Sequence, residues 1–242
     1  MRAPRDQRGA GCDNVAMSAR DDVWAVVPLF NEAAVVADVV EDLRTRIANV
    51  VCVDDGSSDS SVRRALEAGA HVAVHPVNLG QGAALQTGFD WVLANTDARY
   101  VVTFDADGQH SSADAAAMVE LAEATGAAFV LGSRFLSGAP AGVSAPRRLV
   151  LRGAAVLSRM RTGLPLTDAH NGLRVIRRDA LERVHLTQNR MAHASQIVEQ
   201  LAATGLEWRE APVTIEYTEY SRAKGQSLLN SVNILVELVM GR

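Results

Sequence analysis

Two aspartates separated by one residue, Asp105 and Asp107, follow the apolar run at residues 100–104. Where an extended strand becomes a loop, two carboxylates at this spacing can converge on one cation. Their hard oxygen atoms favour Mg²⁺ or Mn²⁺ over a structural zinc ion, which prefers sulfur and nitrogen ligands. The pair therefore predicts a site for Mg²⁺ or Mn²⁺, and a solvated loop without a ligand is the alternative.

A second pair of carboxylates, Asp54 and Asp55, follows residues 50–53 and precedes the turn at Gly56. Adjacent carboxylates repel each other unless a cation or hydrogen-bond donors lie between them. The ribose hydroxyls or base N–H groups of a nucleoside would supply such donors. A nucleoside site is therefore predicted here, whereas Ser58 and Asp59 could simply cap the next helix.

Two further loops follow apolar runs. Asn31 and Glu32 come after the first run, where Asn31 could also be a helix cap. A glycine turn at residues 80–82 leads into a helix whose N-terminus could face an anion. Leu85 stands where the dinucleotide fingerprint G-x-G-x-x-G needs its third glycine, which argues against an NAD enzyme.

Short apolar runs alternate with helical patterns and must position these loops. The predicted strands are residues 23–28, 50–53, 71–75, 100–104 and 127–131, and the predicted helices are residues 32–46, 60–68, 81–93 and 113–124. Apolar runs without alternation indicate strands buried on both faces, hence a mostly parallel, doubly wound α/β sheet. Ligands of such sheets bind beyond the carboxyl ends of the strands, so the four loops should meet at one edge.

The second half of the chain lacks this regular alternation of strand and helix patterns. Residues 138–146 are small residues and prolines typical of a surface loop, and they precede a predicted helix at 147–160. A short element at 173–177, a helix at 192–203 and a strand at 211–217 follow. His170 and His193 have no metal-ligand spacing and are expected to be structural or solvent-facing.

Composition limits the class of protein. The chain has 242 residues, 48% hydrophobic and 21% charged, with a net charge of −4, which predicts one globular domain and no general nucleic-acid partner. Cys12 and Cys52 are too few for a disulfide framework, so Cys52 is expected to be a buried thiol in a cytoplasmic protein. Residues 1–22 have no signal-peptide core and are expected to be a disordered arm. The apolar stretch 228–240 is too short and too polar for a membrane span.

Five motifs occur in the order typical of family 2 glycosyltransferases. They are Pro28-x-x-Asn31-Glu32, Asp54-Asp55-Gly56-Ser57, Asn78-x-Gly80-x-Gly82, Asp105-Ala106-Asp107-x-Gln109-His110 and Gly132-Ser133-Arg134-Phe135. The match runs from about residue 24 to residue 240 and includes Thr167-Asp168-x-x-Asn171-Gly172-x-Arg174 and Lys224-Gly225-Gln226-Ser227. The sequence resembles in particular the dolichyl- or polyprenyl-phosphate mannosyl and glucosyl synthases.

The resemblance implies a GT-A fold with one catalytic domain, residues 23–242, divided into a nucleotide-sugar half (23–133) and an acceptor half (134–242). It also implies an inverting, metal-dependent transfer of a hexose from a donor of the GDP-mannose or UDP-glucose type. The implied donor-binding residues are Pro28, Leu29, Asn31, Glu32, Asp54, Asp55, Gly80, Gln81, Asp105 and Ala106. The implied metal ligands are Asp105, Asp107 and Gln109, the catalytic residues Asp168 and Arg134, and the acceptor-binding residues Arg174, Arg222 and Lys224. Gln81 departs from the family, because many relatives have lysine there.

The role expected of Asp168 depends on whether the acceptor is a hydroxyl or a phosphate. A hydroxyl acceptor has a high pKa and would need Asp168 as a general base. A lipid phosphate, with a second pKa of about 6, is largely ionised near neutrality and needs positive charge instead. Transfer to a polyprenyl phosphate is the leading hypothesis, and transfer to a glycan hydroxyl or donor binding without catalysis are the alternatives.

An apolar stripe at helical spacing runs through residues 228–239. Such a stripe serves as core, as a homodimer contact or as a surface that meets a membrane. With a lipid acceptor, the protein is expected in the cytoplasm, at the inner face of the membrane.

Overall fold

The computed structural model describes residues 20–136, 153, 156, 159–168 and 171–216. In chain order the elements are β1 (Arg20–Leu29), α1 (Val36–Arg44), β2 (Ile47–Asp54), α2 (Ser61–Glu67), β3 (His71–Val74), α3 (Gln81–Asn95), β4 (Tyr100–Thr103), α4 (Ser112–Thr125), β5 (Phe129–Ser133), β6 (Arg174–Arg177), α5 (Arg178–Leu181), α6 (His193–Ala203) and β7 (Trp208–Pro212). The described residues between 153 and 162 are also helical, within the helix predicted at 147–160.

The strands form one sheet in the order β3-β2-β1-β4-β6-β5-β7. Strand β6 is antiparallel to both of its neighbours, and the other described pairs are parallel, which confirms the predicted mostly parallel sheet. Because β6 runs in the opposite direction, its first residue, Arg174, pairs with Thr103 at the end of β4. Arg174 therefore lies at the carboxyl edge with the predicted site loops.

Strand β1 shows that helices cover both faces of the sheet. Val23, Ala25 and Val27 belong to a core cluster that includes residues of α1 and α4. The alternate residues Trp24 and Val26 belong to a second cluster that includes residues of α3 and α6. Since neighbouring strand residues point to opposite faces, the two clusters are the two sides of a doubly wound sheet.

The boundaries of four elements differ from the predictions. Strand β2 begins at Ile47 and not at residue 50, and β7 spans Trp208–Pro212 and not residues 211–217. Strand β1 begins at Arg20, whose backbone N–H donates to the carbonyl of Arg46 and whose side chain pairs with Glu123 at 2.7 Å. Residues 20–22 are therefore strand and not part of a disordered arm. Helix α1 begins at Val36 and not near residue 32. The backbone N–H of Asn31 donates to Oγ of Ser57 in the loop after β2, and that of Glu32 donates to Oγ of Ser61 at the start of α2.

Several predictions concern residues outside the described ranges. These are the arm before residue 20 with Cys12, the loop at 138–146, much of the helix at 147–160, His170, the end of the strand predicted at 211–217, Arg222, Lys224 and the stripe at 228–239.

Cys52 is buried in β2 as a free thiol, which confirms the prediction. Burial, together with the negative charge of Asp54, raises its pKa to about 12. Within the described ranges, no helix combines the length and the apolar composition that crossing a bilayer requires.

Candidate active site

The loops after β1 and β2 are joined by hydrogen bonds at the carboxyl edge of the sheet. Asn31 has a left-handed backbone conformation, with φ +53°. Its Oδ1 accepts from the backbone N–H of Ser58 at 2.9 Å, and its own N–H donates to Oγ of Ser57 at 2.8 Å. Asn31 therefore fixes one loop against the other and does not cap α1.

The side chain of Asp55 is fully engaged within the protein. Oδ1 accepts from the backbone N–H of Leu79 at 2.8 Å and contacts Nδ1 of His75 at 2.9 Å, while Oδ2 accepts from the N–H of Gly80 at 2.7 Å. Asp55 is only 3% exposed. The carboxylate thus holds the glycine turn in place.

Asp54 differs from its neighbour. Its Oδ2 accepts from the backbone N–H of Ser57 at 3.0 Å, whereas Oδ1 is buried and has no hydrogen bond from the residues described. One acceptor atom at the predicted nucleoside site therefore lacks a partner in this part of the chain. The neighbouring side chains of Leu29 and Ala106 are buried in the core. These two residues could therefore contact a nucleotide sugar only through their backbone groups.

The start of α3 packs against the chain that precedes α6. Gly80 has φ +107°, and a Cβ at this position would overlap the carbonyl of Asn189. The N–H of Gly82 donates to the same carbonyl at 2.8 Å. The glycine turn is therefore needed for close packing, and one N–H of the predicted anion-binding helix end is already used.

Asp105 lies between a glutamine and a histidine just after β4. Gln81 Nε2 donates to its Oδ1 at 2.9 Å, and His110 Nε2 lies 3.0 Å from its Oδ2. Burial alone would raise the pKa of Asp105, but the hydrogen bond with His110 and the positive charges of His110 and Arg174 bring it below its ordinary value. Because its pKa is lowered, the carboxylate is ionised near neutral pH. It is also accessible, since 31% of the side-chain surface is exposed.

The pKa of Asp107 is shifted in the opposite direction to that of Asp105. Burial and the negative charge of Asp105 raise its pKa to about 6, although the backbone N–H of Gln109 donates to its Oδ1 at 3.1 Å. A carboxylate whose ionisation is disfavoured by a neighbouring carboxylate gains from a cation that the two share. The carbonyl of Gln109 accepts from the N–H of Glu216, so this residue also ties the loop to the chain after β7.

The donor set fits a hard divalent cation. In the described part of the chain, no group of three or more His, Cys, Asp or Glu residues is placed to hold a metal ion. Mg²⁺ is usually bound by one or two carboxylates together with substrate phosphates and water. Asp105 and Asp107 match that arrangement and do not match a closed zinc site.

Asp168 and Arg134 form a buried ion pair. Arg134 Nε donates to Oδ2 of Asp168 at 2.6 Å and Nη2 to Oδ1 at 2.8 Å, and the backbone N–H of Arg134 also reaches Oδ2 at 3.1 Å. The backbone N–H and hydroxyl of Thr167 donate to the carboxylate of Glu210 on β7. The segment that carries Asp168 is therefore fixed to the sheet.

A small polar cavity of about 90 Å³ lies beside Asp105. Its lining includes Gln81, Asp105, Gly172, Arg174, Met191 and His193. Arg174 is 2% exposed, and its Nη1 donates to the carbonyl of Gly172 at 3.4 Å. Burial lowers the pKa of Arg174 to about 10, against the opposing effect of Asp105 and Asp168, so its guanidinium stays charged.

The structure therefore brings Gln81, Asp105 and Arg174 to one cavity and pairs Arg134 with Asp168. The sequence analysis assigns no role to His75 or to the motif residue His110, and it expects His193 to be structural or solvent-facing. All three lie on the loops or at the helix start near the site. Gly172 belongs to a sequence motif, and the structure gives the reason for glycine at this position: a Cβ there would overlap the carboxylate of Asp105. Only the position of His110 directly after the acidic motif is a signal that the sequence offers.

Comparison with known proteins agrees with this geometry. The family model described as Glycosyl transferase family 2 matches residues 24–185. The chain is 29% identical to polyprenol monophosphomannose synthase of Mycolicibacterium smegmatis, over 94% of this chain and 88% of that protein. It is 27% identical to UDP-N-acetylglucosamine--dolichyl-phosphate N-acetylglucosaminyltransferase of Methanococcus voltae, over 90% of this chain and 95% of that protein.

A solved structure shares the fold. Glucosyl-3-phosphoglycerate synthase from Mycobacterium tuberculosis, in complex with Mn²⁺ and UDP-glucose, superposes with a TM-score of 0.66 at 18% identity. The likeness covers 90% of this chain and 76% of that one. The predicted GT-A fold is thereby confirmed.

Proposed function

Since the chain belongs to glycosyl transferase family 2, we propose that it transfers a hexose from a nucleotide sugar to a polyprenyl phosphate, with inversion at the anomeric carbon and with Mg²⁺ or Mn²⁺ as cofactor. The donor is of the GDP-mannose or UDP-glucose type. The names of two relatives, one acting on polyprenol and one on dolichyl phosphate, support this class of acceptor. The observation that carries the proposal is the pair Asp105 and Asp107 at the carboxyl end of β4.

The nucleoside lies at the joined loops after β1 and β2. Glu32, the backbone of Pro28 and Leu29, and Oδ1 of Asp54, which has no partner among the described residues, contact it. Asp55 and Asn31 act indirectly, since their side chains already hold the loops through backbone N–H groups. Gly80 and Gln81 lie between this site and Asp105.

Asp105 and Asp107, with Gln109 beside them, would hold the cation. When bound, the cation supplies positive charge to the diphosphate oxygens as the anomeric bond breaks. An acceptor oxygen forms the new bond from the opposite face of the sugar. The old bond to the diphosphate oxygen breaks, and its electron pair leaves with the nucleoside diphosphate.

The acceptor oxygen needs no protein base when it belongs to a phosphate, because such a group is largely ionised near neutrality. The pairing of Asp168 with Arg134 favours this acceptor over a hydroxyl, since both oxygens of the carboxylate already accept hydrogen bonds. Arg134 presents its charge to the acceptor phosphate, together with Arg222 and Lys224 outside the described ranges. Arg174 lies beside Asp105 and is assigned here to the donor side.

A polyprenyl phosphate is anchored in a bilayer, so the protein must meet the membrane surface to reach it. We place the reaction at the cytoplasmic face. The apolar stripe at residues 228–239 is the segment proposed for this contact, and a homodimer through the same stripe is the alternative.

The test is a transfer assay with purified protein. Radiolabelled UDP-glucose or GDP-mannose is incubated with undecaprenyl phosphate and Mn²⁺, and the lipid phase is counted. Label should enter the lipid with Mn²⁺ and should not enter it with EDTA. Transfer to a glycan hydroxyl alone would support the alternative acceptor, and donor binding without any transfer would support a binding module.

A further inference from the structure

The polar cavity beside Asp105 has groups of both charge signs. Arg174 is cationic and Asp105 is anionic, and Gln81 adds a neutral amide. His193 is neutral, because burial lowers its pKa to about 4, with the positive charge of Arg174 acting in the same direction. A cavity with balanced charge and several donors and acceptors suits a hydroxyl-bearing group better than a phosphate.

The hydrogen bonds of His193 fix its tautomer. Nδ1 lies 2.7 Å from the backbone carbonyl of Arg190. A carbonyl oxygen can only accept, so Nδ1 bears the proton and Nε2 of the neutral ring is an acceptor. Among the residues that the structure describes, Nε2 has no hydrogen-bond donor, although the side chain lines the cavity and the residue is only 3% exposed.

Such an acceptor is open to a hydrogen bond from a ligand hydroxyl or from water. Gly82 at the start of α3 packs directly against His193. A Cβ at residue 82 would lie only 2.7 Å from the Cβ of His193, so this position requires glycine. The start of α3 therefore approaches His193 closely, and the bond from Nδ1 to the carbonyl of Arg190 orients the ring.

We propose that Nε2 of His193 accepts a hydrogen bond from a hydroxyl of the donor hexose, and that Arg174 donates to an oxygen of the same sugar. This inference rests on the proposed function, because it locates the sugar next to the Asp105 and Asp107 pair. The volume of about 90 Å³ holds a few water molecules, hence one edge of a hexose. His193 thus contributes to selection of the sugar and not of the nucleoside.

Two variants isolate the acceptor atom. His193→Gln places an amide oxygen near the position of Nε2, whereas His193→Phe keeps a ring and has no acceptor. Both variants lose the bond from Nδ1 to Arg190, so a difference between them reports on Nε2. Their melting temperatures show whether each remains folded.

Calorimetry with Mn²⁺ then compares UDP with UDP-glucose, and GDP with GDP-mannose. We expect the wild type and both variants to bind the nucleoside diphosphate equally. His193→Phe should bind the sugar nucleotide about five- to tenfold more weakly than the wild type, and His193→Gln should recover most of that loss. Equal binding of the sugar nucleotide by wild type and His193→Phe would overturn the inference alone. Failure of the wild type to bind any of these nucleotides would overturn the proposed function with it.

Donor analogues with one hydroxyl replaced by fluorine identify the hydroxyl. Fluorine cannot donate a hydrogen bond to Nε2. One analogue should bind wild type and His193→Phe with equal affinity, since the interaction is already absent. If the loss in His193→Phe is the same with every analogue, no sugar hydroxyl donates to His193 and the inference is wrong.

Discussion

Arg134 holds Asp168 through two hydrogen bonds, from Nε to Oδ2 at 2.6 Å and from Nη2 to Oδ1 at 2.8 Å. Both side chains are largely buried, with 12% and 2% of their surfaces exposed. A planar guanidinium fixed in this way presents its charge in one orientation. We interpret the pair as a single unit in which Asp168 orients the guanidinium of Arg134, and not as a free base with a neighbour.

If the pair acts as a unit, its substitutions are not additive. Arg134→Lys and Asp168→Asn should each lower transfer to undecaprenyl phosphate at least about tenfold, and the double variant should be little worse than the poorer single variant. Rates are compared at one pH and again across pH, where Asp168→Asn should keep the shape of the profile. If the fold-losses of the two single variants multiply in the double variant, the two residues do not act as one unit. Loss of activity confined to hydroxyl acceptors would identify Asp168 as a base instead.

His110 positions Asp105 and is expected to affect metal affinity more than stability. His110→Phe removes the contact to Oδ2 of Asp105 but keeps an aromatic ring beside Phe104, whose centroid lies 5.5 Å from that of His110. It also removes the buried Nδ1, which has no hydrogen bond from the described residues. Loss of a group that orients a metal ligand typically costs about 10-fold in affinity or more. Mn²⁺ titration in the presence of UDP measures this, and unchanged affinity would refute the positioning role.

Gly172 tests whether the position of Asp105 matters. A Cβ at this residue would overlap Oδ2 of Asp105, and the short side chain can avoid it only by turning away. Gly172→Ala should therefore abolish Mn²⁺-dependent transfer and leave the melting temperature little changed. Gly153→Ala is the matched control, because a Cβ there meets nothing within 4 Å. Full activity of Gly172→Ala would show that Asp105 need not keep its place.

Cys52 gives a pH dependence of stability. Its pKa is about 12 in the folded protein and near 9 when exposed, so between these values the folded state binds the extra proton. The free energy of unfolding should fall as pH rises through this window, by up to about 1.4 kcal/mol per pH unit from this group. Urea unfolding of wild type and Cys52→Ala at pH 8 and pH 10 isolates the effect. A constant difference between the two proteins would contradict it.

The sequence was sufficient for the sheet and for the loops that meet at its edge, because apolar runs and strand-end carboxylates are local signals. The antiparallel direction of β6 has no such signal, so the approach of Arg174 to Asp105 could not be derived from spacing. The buried site of His193 is also a tertiary effect, since its neighbours Gln81 and Arg174 lie on other elements. Likewise, the sequence predicts a nucleoside contact for Asp55, because the backbone N–H groups of residues 79 and 80 that bind its carboxylate are far from it along the chain.

The central claim is that Asp105 and Asp107 hold the cation that stabilises the departing diphosphate. The most direct measurement is Mn²⁺-dependent transfer of labelled hexose to undecaprenyl phosphate by Asp107→Asn, beside Asp97→Asn as a control at an exposed aspartate. The account predicts a loss of at least about 100-fold for Asp107→Asn, in the range seen when electrostatic stabilisation of a leaving group is removed, and no change for Asp97→Asn. Equal transfer by both variants, with the same requirement for Mn²⁺, would contradict the claim.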